Sequence, residues 1–497
     1  MKETSGPAGF GAPFTDALRR TFHRGVKAWP TALLLVLIVI LALPAGWLLA
    51  PAFTGPASVQ APETPAWQQA PTSLSTRQGL SPLTDSAPVP VPAAVTAQLE
   101  PVLKPDGGGT FTGMVQDALT GQVLFDRGGS ENRIPASNMK LLTAVAALRV
   151  LGPDERFSTR VVAGPTPSQV VLAGGGDVLL GTGKSAPEQV MGHAGLATLA
   201  EATVAALREN GATGELTVLV DDSLFSGPSL NPAWASGDVE AGEVAPLYPL
   251  ALNSARFDPA VITGPRPQDS AITAGEAFAE QLKAAGAAAG LTVAAGVGRS
   301  SAPAGSDPTV LAEVQSATVG EQVDLMLQTS DNYLAEVLGR MAAAAQGQPA
   351  SNDAATATVR AQLTELGIPT DAMRLADVSG LALDNQVSAR QFSEVVRAIT
   401  SGTDLRLRAA LAGFPVAGLT GTLDTRYGDS STAGGAGLVR AKTGTLNSVI
   451  ALSGYVVDAD GRLLVFSFIG NGLTPGAGGN KEALDRAATA LAACGCR

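Results

Sequence analysis

The sequence has few aromatic and basic side chains. Among 497 residues there are 14 Phe, 4 Tyr and 4 Trp, and 33 Lys and Arg stand against 44 Asp and Glu, which gives a net charge of −11. Proteins that bind nucleic acids need basic patches for the phosphates, and those that bind single strands also need aromatic surfaces on which bases stack. The composition therefore excludes nucleic acid as a partner.

Histidine and cysteine are scarce. The chain has two histidines, His23 and His193, and two cysteines, Cys494 and Cys496. Zinc sites need several such ligands, so we expect no bound metal ion. The cysteine pair is equally compatible with an inert tail and with a local disulfide bond. Because His23 precedes the apolar segment described next, a Ser-His-Asp triad would depend on His193, and lysine is favoured as the base of any nucleophile.

A long apolar run lies near the N-terminus. Residues 31–50 carry no charge, and as a helix they would span ~30 Å, about the thickness of a hydrocarbon core. Residues 1–30 hold five basic and two acidic side chains, so the positive-inside rule places them in the cytoplasm. We therefore expect a single-pass transmembrane helix in the cell membrane, with the rest of the chain extracytoplasmic. The alternative is a signal peptide cleaved after Ala52, which would give a secreted protein.

The composition changes again after the apolar run. Residues 51–93 are rich in proline, alanine, serine and threonine and have almost no charge, so they cannot bury enough apolar surface to fold. We predict an extended linker there.

Strand patterns near both ends of the remaining chain are expected to share one sheet, and the middle has strands and helices of its own. This pattern predicts a domain built from residues 94–155 and 313–497, with an inserted domain at residues 156–312.

The first candidate for chemistry is Ser137-Asn-Met-Lys140, which follows Ile134-Pro135. Proline near a helix start and serine at its head place Ser137 in the first turn, where the helix dipole favours developing negative charge. A side chain three residues later returns to the same face, roughly 5–6 Å away between Cβ atoms, so Lys140 can reach the Ser137 hydroxyl. The spacing is typical of a nucleophile beside its base, although a single such pattern is more often a capped helix with a solvated lysine.

Two further short motifs follow in the chain. Ser330-Asp331-Asn332 consists of residues that favour helix caps and turns. Lys442-Thr443-Gly444-Thr445 precedes an apolar strand, where glycine lets a ligand approach the backbone and lysine supplies a positive charge. Each motif alone is ordinary, so their order and spacing carry the inference.

Ser-x-x-Lys, Ser-x-Asn and Lys-Thr-Gly in this order form the motif set of penicillin-binding proteins and serine β-lactamases. From about Thr112 to its end, the chain resembles the D-alanyl-D-alanine carboxypeptidase/endopeptidase family, the DacB-type low-molecular-mass penicillin-binding proteins. The separation of 193 positions from Ser137 to Ser330 favours this type over the compact β-lactamases. The resemblance rests on Pro135-Ala-Ser-Asn-Met-Lys140, Gly174-Gly-Gly-Asp177, Ser330-Asp-Asn332, Asp377-Val-Ser-Gly-Leu381, Pro415-Val-Ala-Gly418, Gly421-Thr-Leu423, Ala441-Lys-Thr-Gly-Thr-Leu446 and Leu452-Ser-Gly-Tyr455.

The resemblance implies a fold class and a function. The fold would be α+β: a penicillin-binding/β-lactamase-like transpeptidase domain, with an antiparallel sheet and flanking helices, that contains a large inserted domain and follows the transmembrane helix and proline-rich linker. The implied activity is that of a serine-type D-Ala-D-Ala carboxypeptidase or endopeptidase on peptidoglycan stem peptides. Penicillin and other β-lactams would acylate it, and no cofactor is needed. A serine β-lactamase or esterase, or a catalytically silent cell-wall-binding homologue, are the alternatives.

The resemblance also implies residue roles. Ser137 would form the acyl-enzyme, and Lys140, kept neutral by burial and by nearby Lys442, would accept its proton. Ser330 would pass the proton to the leaving amine. Asn332 and Lys442 complete the implied catalytic set, Asn332 by binding the substrate amide and Lys442 by holding the terminal carboxylate. The implied substrate-binding residues are Thr443, Gly444 and Thr445, and the backbone N–H groups of Thr445 and Ser137 would bind the oxyanion. By contrast, we interpret His193, Glu336, Asp377 and Asp424 as structural.

Overall fold

A computed structural model describes residues 85–301, 303 and 308–497, which belong to one compact unit. The predicted cytoplasmic segment, the predicted transmembrane helix at residues 31–50 and most of the predicted linker lie outside the described residues. Within the described ranges, no helix is both long and apolar enough to cross a membrane.

Strands and helices follow one another along the described chain. The strands are β1 (Gly108–Asp117), β2 (Val123–Arg127), β3 (Asn132–Arg133), β4 (Arg156–Ala163), β5 (Gln169–Gly174), β6 (Gly214–Asp221), β7 (Leu291–Val293), β8 (Gly298–Arg299), β9 (Val310–Thr318), β10 (Val387–Ser388), β11 (Arg440–Leu446), β12 (Val449–Val457) and β13 (Leu463–Thr474). The helices are α1 (Pro92–Leu99), α2 (Met139–Val150), α3 (Leu196–Glu209), α4 (Ser236–Glu240), α5 (Ser270–Gly286), α6 (Val319–Thr329), α7 (Asn332–Ala345), α8 (Asn352–Glu365), α9 (Ala389–Ser401) and α10 (Lys481–Ala492).

An antiparallel sheet with the strand order β11-β12-β13-β1-β2 is formed by the described residues outside 156–318, which carry the three motifs and are called the catalytic part below. The prediction that strands from both ends of the folded chain share one sheet is confirmed, because β1 pairs with β13 along its length. Residues 463–470 of β13 are all buried, so both faces of this strand are covered. Burial on both faces explains why its sequence is an almost uninterrupted apolar run.

Different helices cover the two faces of this sheet. Leu464, Phe466 and Phe468 belong to the core that includes α1 and α10, whereas Val465 and Ile469 belong to the core that includes α9 and α2. This division follows from the period-two alternation of side chains along a strand. An antiparallel sheet with helices on both faces is the α+β arrangement that the motifs implied.

A second sheet lies within residues 156–318. Its strand order is β7-β6-β5-β4-β9, with β8 also paired to β6, and α3 and α5 contribute to its hydrophobic core. The segment enters the sheet at Arg156 and leaves it at Thr318, and these two residues are paired across β4 and β9. Both ends of the segment therefore rejoin the catalytic part at one place. The domain boundaries inferred from the sequence, 156–312, stay a prediction.

Residues 85–91, at the start of the described chain, contact Arg462 beside β13 and the C-terminal tail. The Nη1 atom of Arg462, at the start of β13, donates hydrogen bonds to the carbonyl oxygens of Asp85 (2.9 Å) and Ala87 (3.2 Å). Cys494 and Cys496 are paired as a disulfide, which corresponds to the second of the two interpretations that the sequence left open. The Cys496 carbonyl accepts the Val91 N–H at 2.7 Å.

Candidate active site

The predicted nucleophile lies in a 3₁₀ turn, Ala136–Asn138, that leads directly into α2. Ala136 has a left-handed φ of 48°, which is uncommon for a residue with a Cβ atom. The side-chain amide of Asn138 donates to Ser453 Oγ on β12 at 2.6 Å and so fixes the turn against the sheet. Ser137 is partly exposed while the other two residues of the turn are buried. The turn therefore presents the Ser137 hydroxyl from a backbone that packing holds in a strained conformation.

Lys140 is fully buried beside Ser137, and its Nζ contacts three oxygen atoms. These are Ser137 Oγ at 3.0 Å, Asn332 Oδ1 at 2.6 Å and the Ser379 carbonyl at 2.8 Å. When Lys140 is neutral, its lone pair can accept the Ser137 proton across the same 3.0 Å contact. The predicted nucleophile and base are thus within hydrogen-bond distance of each other.

The motif Ser330-Asp-Asn332 occupies the junction between α6 and α7. Ser330 ends α6 with a left-handed φ of 60°, and Asn332 begins α7. Lys442, buried on β11, donates from Nζ to Ser330 Oγ at 3.0 Å and to the Thr443 carbonyl at 2.8 Å. Each buried lysine therefore contacts one outer residue of this motif.

β11 is the edge strand of the catalytic sheet and lies against the nucleophile turn. A Cβ atom added to Gly444 would come within 2.9 Å of the Pro135 carbonyl oxygen, so only glycine fits this approach. The two threonines beside it differ. Thr443 is buried, with its Oγ1 2.7 Å from Thr422 Oγ1, whereas Thr445 is exposed. The outer edge of β11 is bridged to Val416 at Arg440, and its continuation past Ala441, beside Ser137, can bind an extended peptide.

Burial lowers the pKa of Lys140 to about 8, even though four carboxylates near it act in the opposite direction. In order of decreasing effect they are Asp377, Asp331, Glu336 and Glu243. These negative charges stabilise the ammonium form, so the amine is kept near the point where it can gain or lose a proton at moderately alkaline pH.

Burial also lowers the pKa of Lys442, well below that of an ordinary lysine, and the charge of Lys140 adds to this effect. Its hydrogen-bond partners, Ser330 Oγ and the Thr443 carbonyl, are uncharged. The motif resemblance implied a neutral Lys140 beside a charged Lys442. In the protein by itself the carboxylates favour the charge on Lys140, because they surround that amine.

Two buried carboxylates shape the loop that carries the Ser379 carbonyl. Glu336 Oε1 accepts the backbone N–H groups of Val378 (3.1 Å) and Ser379 (2.8 Å), and burial, followed by the charge of Asp377, raises the pKa of Glu336 to about 7. Asp377 accepts five hydrogen bonds. Its donors are Trp234 Nε1, Ser379 Oγ, Asn385 Nδ2 and the backbone N–H groups of Gly380 and Ala382.

Two carbonyl groups of the site were not predicted from the sequence. The Ser379 carbonyl accepts from Lys140, and the Glu243 carbonyl accepts from Asn332 Nδ2 at 3.0 Å. Ser379 belongs to a phrase that supported the family resemblance, so a signal was present. Glu243 lies in the inserted segment 89 residues before Asn332, and no spacing in the sequence connects the two.

The structure places His193 among residues of the inserted segment. Its Nε2 lies 2.8 Å from Arg156 Nη1, and its Nδ1 lies 3.1 Å from the Gln189 carbonyl. In the part of the chain that the structure describes, no three His, Cys, Asp or Glu side chains are grouped to hold a metal ion. The polar cluster around Ser137 is thus built from Lys140, Ser330, Asn332 and Lys442.

Comparison with known proteins agrees with this geometry. The D-Ala-D-Ala carboxypeptidase 3 (S13) family matches residues 95–267 and 258–491. Carboxypeptidase Rv3627c of Mycobacterium tuberculosis is 38% identical over 443 residues, which are 88% of this chain and 91% of the relative. Carboxypeptidase DacB of Mycolicibacterium smegmatis is 35% identical over 482 residues, covering 96% and 98% of the two chains.

A solved structure shares the fold. Penicillin binding protein 4 (dacB) from Haemophilus influenzae superposes with a TM-score of 0.62 at 22% identity, over 80% of this chain and 98% of that one. This likeness confirms the predicted penicillin-binding-protein fold of the described residues. The resemblance drawn from the motifs is also confirmed, since the chain belongs to the D-Ala-D-Ala carboxypeptidase 3 (S13) family.

Proposed function

We propose that this protein is a serine-type D-Ala-D-Ala carboxypeptidase that acts on peptidoglycan stem peptides through an acyl-enzyme on Ser137. The observation that carries the proposal is the 3.0 Å contact between Lys140 Nζ and Ser137 Oγ inside a buried polar cluster. Family membership supports the same reaction. The Haemophilus influenzae protein also has a structure in complex with a β-lactam, which supports penicillin as a ligand.

Acylation begins with proton transfer from Ser137. Neutral Lys140 takes the hydroxyl proton as Oγ attacks the carbonyl carbon of the penultimate D-Ala. The backbone N–H groups of Ser137 and Thr445 stabilise the resulting oxyanion, an effect worth ~3–4 kcal/mol for each donor. A proton then returns to the amine of the leaving D-Ala through Ser330, whose Oγ is bound to Lys442. Water then attacks the acyl-enzyme ester, and the proton that the water loses returns to Ser137 Oγ as the product leaves.

Substrate recognition depends on β11 and the start of α7. Asn332 contacts the peptide amide, and Lys442, with Thr443 and Thr445 on either side of Gly444, binds the terminal carboxylate. The carboxylate supplies the counter-charge that Lys442 lacks, so binding raises the pKa of this amine and recharges it. A β-lactam mimics the D-Ala-D-Ala end, acylates Ser137 and leaves slowly.

Mass spectrometry tests the proposal. After incubation with penicillin, the purified full-length protein should carry one stable adduct on Ser137, and it should release D-Ala from a peptide that ends in D-Ala-D-Ala. A Ser137→Ala variant is the control and should show neither. Without an adduct or D-Ala release, the chain would be a silent homologue. Rapid turnover of penicillin would indicate a β-lactamase instead.

We further propose that residues 31–50 anchor the protein in the cell membrane, with the linker carrying the catalytic part outside the cytoplasm. The uncharged run and the basic residues before it support this location. In fractionated cells the full-length protein should stay with the membranes through a high-salt wash and enter solution only with detergent. A mature N-terminus at Phe53 in the medium would instead show cleavage after Ala52 and a secreted protein.

A further inference from the structure

The motif Ser330-Asp-Asn332 contacts both buried lysines through its outer residues. Ser330 Oγ accepts from Lys442 at 3.0 Å, and Asn332 Oδ1 accepts from Lys140 at 2.6 Å. The two contacts lie on opposite sides of the middle residue, one backbone step in each direction. Whatever fixes that middle residue therefore sets both lysine contacts together.

Asp331, the middle residue, uses both carboxylate oxygens. Oδ1 accepts the Leu334 N–H at 3.0 Å and caps α7, while Oδ2 accepts from Arg256 Nη2 at 2.9 Å. The ion pair is buried, with side-chain exposures of 5% for Arg256 and 0% for Asp331. Arg256 thus reaches from the inserted segment into the centre of the catalytic motif.

An unusual backbone presents Arg256. Residues 253–255, directly before it, have left-handed φ values of 52°, 59° and 54°, and none of them is glycine. Such a run is strained and persists only where the surroundings hold it. The backbone N–H groups of Asn253 and Ser254 donate to the carbonyls of Leu180 (3.2 Å) and Val178 (2.7 Å), respectively. The Ser254 carbonyl accepts from Arg266 Nη1 at 2.8 Å.

A contribution to the stability of the fold does not by itself explain this buried ion pair. Taking two charges out of water costs about as much as their attraction returns, unless every polar atom is satisfied. The Nε of Arg256 is buried without a hydrogen-bond partner. A strained turn, a buried charge pair and an unsatisfied donor are together better explained by the geometry that they impose on the motif.

We propose that Arg256 is a positioning residue for acylation, which holds Asp331 so that Ser330 and Asn332 stay within hydrogen-bond distance of Lys442 and Lys140. The proposal rests on the acyl-enzyme mechanism proposed above. It makes the inserted segment a functional part of the proton-transfer machinery. No atom of the Arg256 side chain is assigned to bind substrate, so its loss acts through Ser330 and Asn332, chiefly on proton transfer and less on binding through the Asn332 amide.

The test uses the purified full-length protein and fluorescent penicillin over a range of concentrations and times. These data give the limiting acylation rate constant and the half-saturating concentration separately. Arg256→Met should lower the rate constant at least tenfold and change the half-saturating concentration less than threefold. Arg256→Lys, which returns a cation to Asp331, should have a rate constant between that of Arg256→Met and the wild type.

Arg462→Met is the matched control. Arg462 forms a similarly buried ion pair with Asp117, with side-chain exposures of 4% and 0%. It lies at the start of β13, nine residues before Asn471. The Asn471 side chain accepts the Ile134 N–H beside the nucleophile turn. Along a strand, nine residues span about 30 Å. Arg462→Met should lose thermal stability and still acylate within threefold of wild type.

The outcomes separate this inference from the function on which it rests. Failure of the wild type to be acylated would overturn the function itself. If the wild type is acylated, equal losses in Arg256→Met and Arg462→Met would make Arg256 merely structural, and an Arg256→Met rate within threefold of wild type would overturn its role. Should Arg256→Met not fold, Arg256→Lys decides: a slower rate constant with unchanged half-saturation supports the proposal, and wild-type kinetics contradict it.

Discussion

Replacing Lys140 with arginine is expected to slow the acylation of Ser137 by penicillin about 10³-fold or more. Arginine keeps the positive charge but does not lose its proton in proteins, so no base remains beside the hydroxyl. Lys140 is fully buried, and its Nζ lies 3.0 Å from Ser137 Oγ. Among the described residues, no other amine donates a hydrogen bond to this hydroxyl. The second-order rate constant of penicillin acylation, measured on each purified variant, gives the result.

Lys442→Arg is the matched control for this substitution. Lys442 is also fully buried, but it contacts Ser330 rather than Ser137. Arginine at this position keeps a cation for the carboxylate, so part of the acylation should survive. Equal losses in the two variants, or a Lys140→Arg protein that is still acylated rapidly, would rule out Lys140 as the base.

The pH profile of the wild type provides an internal check on the same assignment. Burial lowers the pKa of Lys140 to about 8, and only its neutral form can accept a proton. The neutral fraction grows as pH rises, so the acylation rate should increase about tenfold per pH unit below the pKa and level off above it. The Lys140→Arg variant should lack this rise.

The parts of the site that the sequence predicts are those with short-range signatures. Ser137 and Lys140 are three residues apart on one helix, so helical geometry alone brings their side chains together. Likewise the apolar runs of β12 and β13 indicate strands buried on both faces. Local periodicity was therefore enough for the central strands and for the contact between Ser137 and Lys140, whereas the order of the three motifs was needed to single out that pair as a candidate nucleophile and base.

The parts that the sequence does not predict depend on contacts between distant segments. The Glu243 carbonyl and the Arg256 side chain both reach the motif at residues 330–332 from the inserted segment. The carbonyl is a backbone group that any residue could supply, so the identity of Glu243 gives no signal. The carboxylates that act on Lys140 also come from distant segments, so the sequence alone does not predict their effect on the pKa of this amine. Spacing in the sequence does not encode such tertiary distances.

Asp377 shows how far a motif can be interpreted without its contacts. The sequence suggested a structural aspartate that holds a turn, in the same class as Asp424. The structure separates the two. Asp377 is completely buried and accepts five hydrogen bonds, whereas Asp424 is exposed and accepts one from the neighbouring Thr425 N–H at 2.6 Å. The expected loss of stability when an aspartate is replaced therefore depends on its burial and on the number of its hydrogen-bond donors, rather than on the residue type.

Replacing Asp377 with alanine is therefore expected to lower the free energy of unfolding by about 4 kcal/mol or more. Four of its five donors would stay buried without an acceptor, at about 1–3 kcal/mol per group before relaxation, while Asn385 Nδ2 would keep the Ala382 carbonyl at 3.0 Å. Gly380, one of those donors, has a φ of 86°, and a Cβ there would lie 2.0 Å from the Ala136 carbonyl oxygen, so the loop has little freedom to rearrange. Urea denaturation of the full-length protein measures the change from the transition midpoint, provided that the slope is unchanged.

Asp424→Ala provides the control, because a surface substitution of this kind usually changes stability by no more than about 0.5 kcal/mol. The Asp377→Ala loop also carries the Ser379 carbonyl that binds Lys140, so any protein that remains folded should acylate slowly. Midpoints that agree within error for the two alanine variants would show that the donors around Asp377 find other acceptors. In that case the loop would not depend on this carboxylate, and Glu336, which binds the N–H groups of Val378 and Ser379, would be the group that holds it.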